Sequence, residues 1–301
     1  MSRPPPVGLI ATDLDGTLLG SDHTLGSRDA LALRELGEAG VVRVVATGRS
    51  LVAAERVLDR AVPIDYLVVS SGAGILDWGS RRLLRRHAFE AGDVRRVAEA
   101  LRRFGVDFMA HDPVPDDHRF RYVRARPGNP DFERRIGRYG EFAAPWDDGG
   151  GAGTRPDDGT GPLPAACQFV AILEPGEDAL HDRLGTGLSD FAVVRSTSPL
   201  DGRSIWVEVR PRGVSKESAV AWLAARHGLD AGRTVAVGND YNDCGMLRWS
   251  ANPFVVGNAA PELLERYRVV ASNDAGGFSD AVRTVNRDGG GFARAAAPAE
   301  G

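Results

Sequence analysis

In the segment TDLDGTLL (12–19), two carboxylates, Asp13 and Asp15, stand two residues apart and are followed by a glycine and a hydroxyl. A carboxylate beside a phosphoryl group, with its charge screened by a cation, can act as a nucleophile and form an aspartyl-phosphate. A second carboxylate two positions on can give a proton to the leaving oxygen and later take one from water. Gly16 lets the chain turn sharply beside a ligand. Far downstream, GVSKESA (213–219) holds Lys216, the only lysine among 37 Lys and Arg residues. An ammonium is a compact point charge, whereas a guanidinium is a wide planar fork. A cramped pocket in which one charge must meet a phosphoryl oxygen and a carboxylate together would retain lysine. The hydroxyl of Thr47, in ATGRS (46–50), could bind phosphoryl oxygens beside that ammonium. GNDYND (238–243) adds Asn239, Asp240 and Asp243, so the set is rich in the oxygen donors that suit a hard cation such as Mg²⁺.

Residues so far apart in the chain need a scaffold that brings them together. Apolar runs at 7–12, 41–46, 66–71, 205–210 and 234–239 are predicted strands, and 27–39, 50–61, 215–227 and 243–250 carry helical spacing. Alternation of the two predicts a parallel α/β sheet with helices on both faces. Asp13 and Asp15, Thr47, and Asn239 to Asp243 then follow carboxyl ends of strands, and Lys216 follows the strand at 205–210. Open α/β sheets bind ligands at that edge. The rhythm changes over 82–204, which reads as an inserted second domain. It contains a basic helix at 92–104 and a glycine-rich stretch at 147–164 that reads as loop or disorder. The expected organisation is an α/β, Rossmann-like parallel sheet core over 1–81 and 205–288, an inserted α+β domain over 82–204, and a flexible tail over 289–301.

A net charge of −4 gives no electrostatic case for nucleic acid, and no apolar run approaches the length of a membrane span. The N-terminal segment lacks the long apolar stretch of a signal peptide. Cys167 and Cys244 make neither a disulfide framework nor a metal site, which fits a reducing cytoplasm. Cys244 and Met246 read as core. His111, Asp112, His118 and Arg119 read either as a substrate-reading surface or as a solvated hairpin. The arginines at 81, 82, 85 and 86 read as a solvated strand or linker.

DLDGT (13–17), TGR (47–49), Lys216 and GNDYND (238–243) resemble the four motifs of the haloacid dehalogenase (HAD) superfamily. Their order, the SSGAGI stretch (70–75) and the insertion that follows are similar to the Cof-like phosphatase branch with a large α/β cap. The resemblance implies that Asp13 is the nucleophile and Asp15 the general acid and base, with Lys216 as the third catalytic residue. It places Thr47, Gly48, Arg49, Lys216 and Asn242 at the phosphate, and Mg²⁺ among Asp13, the Asp15 carbonyl and the last motif's Asn239, Asp240 or Asp243. One departure stands out. The commonest last motif begins Gly-Asp, and here Asn239 takes the first acidic place, so either Asn239 ligates with one less formal charge or Asp240 takes over.

The expected activity is Mg²⁺-dependent hydrolysis of a small phosphorylated metabolite, a sugar phosphate, through an aspartyl-phosphate. A sugar-phosphate phosphotransferase of the mutase type is the first alternative, and a catalytically silent metabolite-binding relative the second. The partner set is a small phosphorylated substrate, with no nucleic acid and no membrane, in a cytoplasmic monomer or homodimer.

Overall fold

The computed structural model describes residues 6–146, 165–289 and 291–298. In chain order its strands begin with β1 (Leu9–Thr12), β2 (Val42–Ala46), β3 (Tyr66–Val69), β4 (Gly74–Asp77) and β5 (Leu83–Arg86). There follow β6 (Asp107–His111), β7 (Phe120–Val123), β8 (Ala143–Pro145), β9 (Gln168–Leu173), β10 (Ala192–Thr197) and β11 (Ile205–Arg210). The last three are β12 (Thr234–Gly238), β13 (Asn252–Val256) and β14 (Arg268–Val270). The helices are α1 (Ser27–Glu38), α2 (Leu51–Glu55), α3 (Ala91–Arg103), α4 (Pro130–Arg138), α5 (Asp178–Gly187), α6 (Lys216–Arg226), α7 (Cys244–Trp249), α8 (Pro261–Arg266) and α9 (Gly277–Arg287).

The chain divides into two units, one formed by residues up to Arg86 and from Val214 onward, the other by His87–Gly213. The first holds a sheet in the order β14-β13-β12-β1-β2-β3-β4-β5. From β14 to β3 all neighbours are parallel, and β4 and β5 fold back antiparallel. The parallel strands are apolar on both faces because both faces are covered. Leu9, Ala11, Val44 and Ala236 pack with Val220 and Leu223 of α6 and Leu247 of α7. Their neighbours Ile10, Val45 and Val237 are equally buried, and α1 and α9 lie against β2, β13 and β14. Each fully buried aliphatic side chain contributes roughly 1.5–3 kcal/mol of transfer free energy, so this sheet is a rigid platform for whatever stands on its edge.

The second unit holds a sheet in the order β10-β11-β9-β6-β7-β8. One face packs Phe108, Phe169, Ala171 and Val207 against Val97 and Leu101 of α3 and Leu184 of α5. The other packs Met109, Val170 and Trp206 against Phe132 of α4.

Four expectations need correction. The strand at 205–210 does not resume the first sheet: β11 pairs antiparallel with β9 and β10 in the second. A run buried on both faces looks the same whichever sheet receives it. The first unit accordingly resumes at Val214, and it extends to Arg86 because β5 pairs with β4. The helix expected over 50–61 stops at Glu55, and Asp59 turns the chain by accepting from the Ala61 N–H at 2.8 Å. The tail is not frayed over 291–298. The Ala293 N–H donates to Val7 O and the Ala295 N–H to Gly40 O, and His227 Nδ1 donates to Ala296 O at 2.7 Å. The glycine-rich stretch 147–164 lies outside the described residues.

His111, considered for a substrate-reading surface, is a core residue of the second unit. It is 3% exposed, and its Nδ1–H donates to Asp117 O at 2.9 Å. Asp112 and Arg119 close the β6–β7 turn through their backbones. Among the described residues, no helix is long and apolar enough to cross a membrane.

Candidate active site

All the motif residues lie in the first unit: the Asp13, Thr47 and Asn239 segments follow the carboxyl ends of β1, β2 and β12, and Lys216 comes from the start of α6. After β1 the Asp13 N–H donates to Val237 O at 2.9 Å, tying the turn to the end of β12. Leu14, between the two acids, is fully buried and anchors the turn in the core. Gly16 has φ +69°, and a Cβ there would stand 2.8 Å from Asn239 Nδ2. Both the left-handed backbone and the close approach require glycine. Thr17 Oγ1 donates to Asn239 Oδ1 at 3.0 Å, so the last motif is held directly against the first.

Lys216 opens α6. Ser215 is the N-cap, accepting from the Ser218 N–H at 3.0 Å while Ser218 Oγ accepts from the Ser215 N–H at 3.0 Å. This capping box fixes the helix start by satisfying two orphan donors. It secures an end whose dipole does not favour a cation.

After β3, Ser70, Ser71 and Gly72 take three successive positive φ values, 45°, 51° and 110°. The left-handed region costs a non-glycine residue of order 1–3 kcal/mol, and such backbone gathers at functional sites. Here the turn does two jobs. The Ser71 N–H donates to Thr47 O at 2.9 Å and the Ser70 N–H to Arg49 O at 2.8 Å. Gly72 packs so closely on α6 that a Cβ would lie 2.4 Å from Ser215 O. The turn therefore joins the Thr47–Arg49 segment to the N-cap of the Lys216 helix. Physical reading of the sequence assigned these three residues no role, although the run SSG after a strand was the available signal.

The Lys216 ammonium is 1% exposed and donates to Asp13 Oδ1 at 2.6 Å, Asp243 Oδ1 at 2.8 Å and Asn242 Oδ1 at 3.3 Å. Three acceptors converge on one nitrogen with three donors, an arrangement a planar guanidinium cannot reproduce. Burial works against the ammonium's charge, but Asp13 and Asp243 more than offset it, and its pKa is raised. Asp13 is pushed up to about 7: burial is the largest cause, Lys216 opposes it, and the like charges of Asp243 and Asp15 add to it. Asp243 is fully buried and its Oδ2 accepts from the N–H groups of Asn239 at 2.9 Å and Asp240 at 3.1 Å.

Asp15 is held differently. Arg49 grips both its oxygens, Nε donating to Oδ2 at 2.7 Å and Nη2 to Oδ1 at 2.6 Å. His23 Nδ1 lies 3.7 Å from Oδ1.

The arrangement thus brings Asp13, Lys216, Asn242 and Asp243 into one hydrogen-bonded cluster. Thr47 is buried beside the Ser70 turn, its Oγ1 accepting from the Arg49 N–H at 3.0 Å, and Gly48 is half-buried in the bend between them. Three residues depart from expectation. Arg49, expected at a phosphate oxygen, is engaged with Asp15. Asp243, expected as a metal ligand, is committed to Lys216 and two backbone amides. Asp240 caps the turn at 240–243 through its side chain. Asn239 is the last-motif residue that faces the Asp13–Thr17 turn. Among the described residues, no three His, Cys, Asp or Glu side chains are grouped as a metal site. A cation here would rely on one buried carboxylate and neutral oxygens, and the raised pKa of Asp13 marks a charge that such a cation would stabilise.

Residues 10–123 and 194–282 match the family of haloacid dehalogenase-like hydrolases. An HMP-PP phosphatase from Klebsiella pneumoniae is 27% identical over 258 residues, which cover 85% of this chain and 86% of that one. A 5-amino-6-(5-phospho-D-ribitylamino)uracil phosphatase from Bacillus subtilis is 22% identical over 283 residues, covering 90% of this chain and 95% of its own. In structure, a phosphatase of the haloalkanoate (HAD) enzyme superfamily from Bacteroides thetaiotaomicron superposes with a TM-score of 0.71. It is 20% identical, the match covering 94% of this chain and 96% of that one. The chain belongs to the haloacid dehalogenase-like hydrolases.

Proposed function

We propose that the protein is a Mg²⁺-dependent phosphomonoester hydrolase that turns over a small phosphorylated metabolite, a sugar phosphate in class, through an aspartyl-phosphate on Asp13. The observation that carries the reading is the buried Asp13 carboxylate, bonded to Lys216 at 2.6 Å, with Asp15 two residues on. Lys216 keeps one Asp13 oxygen oriented and favours the ionised carboxylate against the burial that raises its pKa. Asp13 attacks the phosphorus, the bond to the leaving oxygen breaks, and that oxygen takes a proton from Asp15. Water then attacks the phosphorus and loses a proton to Asp15. The bond to Asp13 breaks, and phosphate leaves. Thr47 and Lys216 offset the charge that develops on the phosphoryl oxygens.

The residues that would hold Mg²⁺ are the Asp13 carboxylate, the Asp15 carbonyl and Asn239 Oδ1, an all-oxygen set suited to that ion. When bound, the ion screens the repulsion between the Asp13 carboxylate and the phosphate dianion. The substrate class is supported by the two curated relatives, whose names denote small phosphorylated molecules, one carrying a phosphorylated ribityl chain.

Release of inorganic phosphate from a panel of phosphorylated sugars and other small metabolites, with and without Mg²⁺, tests the reading. The expected result is metal-dependent release from at least one sugar phosphate without an added bisphosphorylated sugar. A requirement for that activator would identify a phosphotransferase. Release from none of the panel, nor from p-nitrophenyl phosphate, would overturn hydrolysis.

A further inference from the structure

We infer that Arg49 is a positioning residue for Asp15 and does not serve as a ligand of the transferring phosphoryl group; the inference rests on reading Asp15 as the general acid. The guanidinium meets the carboxylate edge to edge through two parallel N–H···O contacts of 2.7 and 2.6 Å, the bidentate form of a charge-assisted pair. The fork is itself fixed from behind, because Nη1 donates to Ala53 O at 3.2 Å. Its backbone is fixed as well: the Arg49 N–H donates to Thr47 Oγ1 at 3.0 Å and Arg49 O accepts from the Ser70 N–H at 2.8 Å. Among the described residues His23 also approaches Asp15, but its side chain is 62% exposed and its Nδ1 is 3.7 Å away, too loose to orient the carboxylate.

An aspartate has two side-chain torsions, and a planar clamp on both oxygens restrains both. Proton transfer to a leaving oxygen depends on where the carboxyl stands, and a misplacement of an ångström costs up to about 10²-fold. A lysine at 49 would supply charge without the fork. The proton that passes to the leaving oxygen must sit on one Asp15 oxygen. In the step that breaks the bond from phosphorus to the leaving oxygen, Arg49 therefore holds the carboxyl through the other Asp15 oxygen, and the two-point grip returns once the proton has gone. The effect of Arg49 should follow how much the leaving oxygen needs that proton.

Leaving-group dependence separates the roles. p-Nitrophenolate departs without proton donation, whereas an alkoxide does not, and kcat/KM reports the steps through cleavage of that bond. The measurement is kcat/KM on p-nitrophenyl phosphate and on an alkyl phosphate that the protein accepts, for wild type, Arg49→Ala, Arg49→Lys and Asp15→Asn. Arg49→Lys guards against a folding defect in the alanine variant. Both Arg49 variants should lose roughly 10- to 100-fold on the alkyl ester and no more than about three-fold on the aryl ester. Free guanidinium should restore part of the loss in Arg49→Ala. Equal losses on both esters would assign Arg49 to the phosphoryl group and overturn the inference. So would no loss on either. If Asp15→Asn itself fails to discriminate the esters, the acid reading falls and this inference with it; discrimination by Asp15→Asn alone refutes only the role of Arg49.

Discussion

Each unit buries charge, and the two do it differently. In the first, Lys216 sits between Asp13 and Asp243, and its three donors all meet oxygen acceptors. In the second, Glu208 and Arg210 pair on one face of the sheet, with Ser196 Oγ donating to Glu208 Oε1 at 3.0 Å. Nearby, Arg135 lies 4.5 Å over the ring of Trp206 and donates to neutral acceptors, His111 Nε2 at 3.4 Å and Met109 Sδ at 3.1 Å. On the same face the buried Gln168 Oε1 has no hydrogen-bond partner. A buried charge costs several kcal/mol unless paired and bonded. The first cluster is compensated around one nitrogen, as a preorganised reaction centre requires. In the second, Glu208 and Arg210 offset one another, whereas Arg135 is held by a ring, a neutral imidazole and sulfur, so this corner is sensitive to protonation of His111.

The largest expected effect is at the compensated cluster. Asp13→Asn removes the proposed nucleophile and should abolish phosphate release while leaving the circular dichroism spectrum unchanged; turnover near wild type would sink the mechanism. Lys216→Arg comes next. A wider cation in a slot 1% exposed should lower kcat by about 10²–10³-fold, and a rate above about a third of wild type would make the point-contact argument wrong. Lys216→Ala leaves Asp13 and Asp243 buried without their partner. Its unfolding free energy should drop by roughly 3–5 kcal/mol, measured by urea denaturation.

The contrasting cluster gives a pH effect on stability. His111 is lowered to about 3, mainly by burial and then by the neighbouring Arg135. The folded state thus binds no proton at His111 where the unfolded state does. Stability should fall as pH drops from about 6.5 toward 3, by about 1.4 kcal/mol per unit from this group. Urea midpoints at pH 7 and 5 should diverge less in His111→Gln than in wild type. Equal divergence would show that His111 takes up a proton without cost. The smallest effect concerns the metal. Asn239→Asp adds a charge where the last motif meets the first and should lower the Mg²⁺ concentration for half-maximal turnover, by roughly a few-fold. An unchanged requirement would remove Asn239 from the ligand set.

The same contrast explains what was legible in the sequence. The first unit's chemistry lies in short strings after strands, where a polar residue following an apolar run is conspicuous, so Asp13, Asp15 and Lys216 could be picked out. The partners those strings choose were not readable: that Arg49 turns to Asp15, or that Asp243 spends its oxygens on Lys216 and two amides, depends on turns closed by residues far away. In the second unit the polar residues alternate with apolar ones along β11, where Ile205, Val207 and Val209 face one way and Trp206, Glu208 and Arg210 the other. IWVEVR therefore read simply as an apolar strand, and nothing local said which sheet it would join.

The central claim is that phosphorus passes through Asp13, and trapping tests it most directly. Asp15→Asn, reacted with p-nitrophenyl phosphate and Mg²⁺ and quenched in acid, should accumulate a phospho-enzyme, because the leaving group needs no acid while hydrolysis lacks its base. Peptide mass spectrometry should place one phosphoryl group on the peptide containing Asp13, at Asp13 itself. A phosphoryl group on another residue, or a burst of p-nitrophenolate with no covalent adduct, would contradict the account.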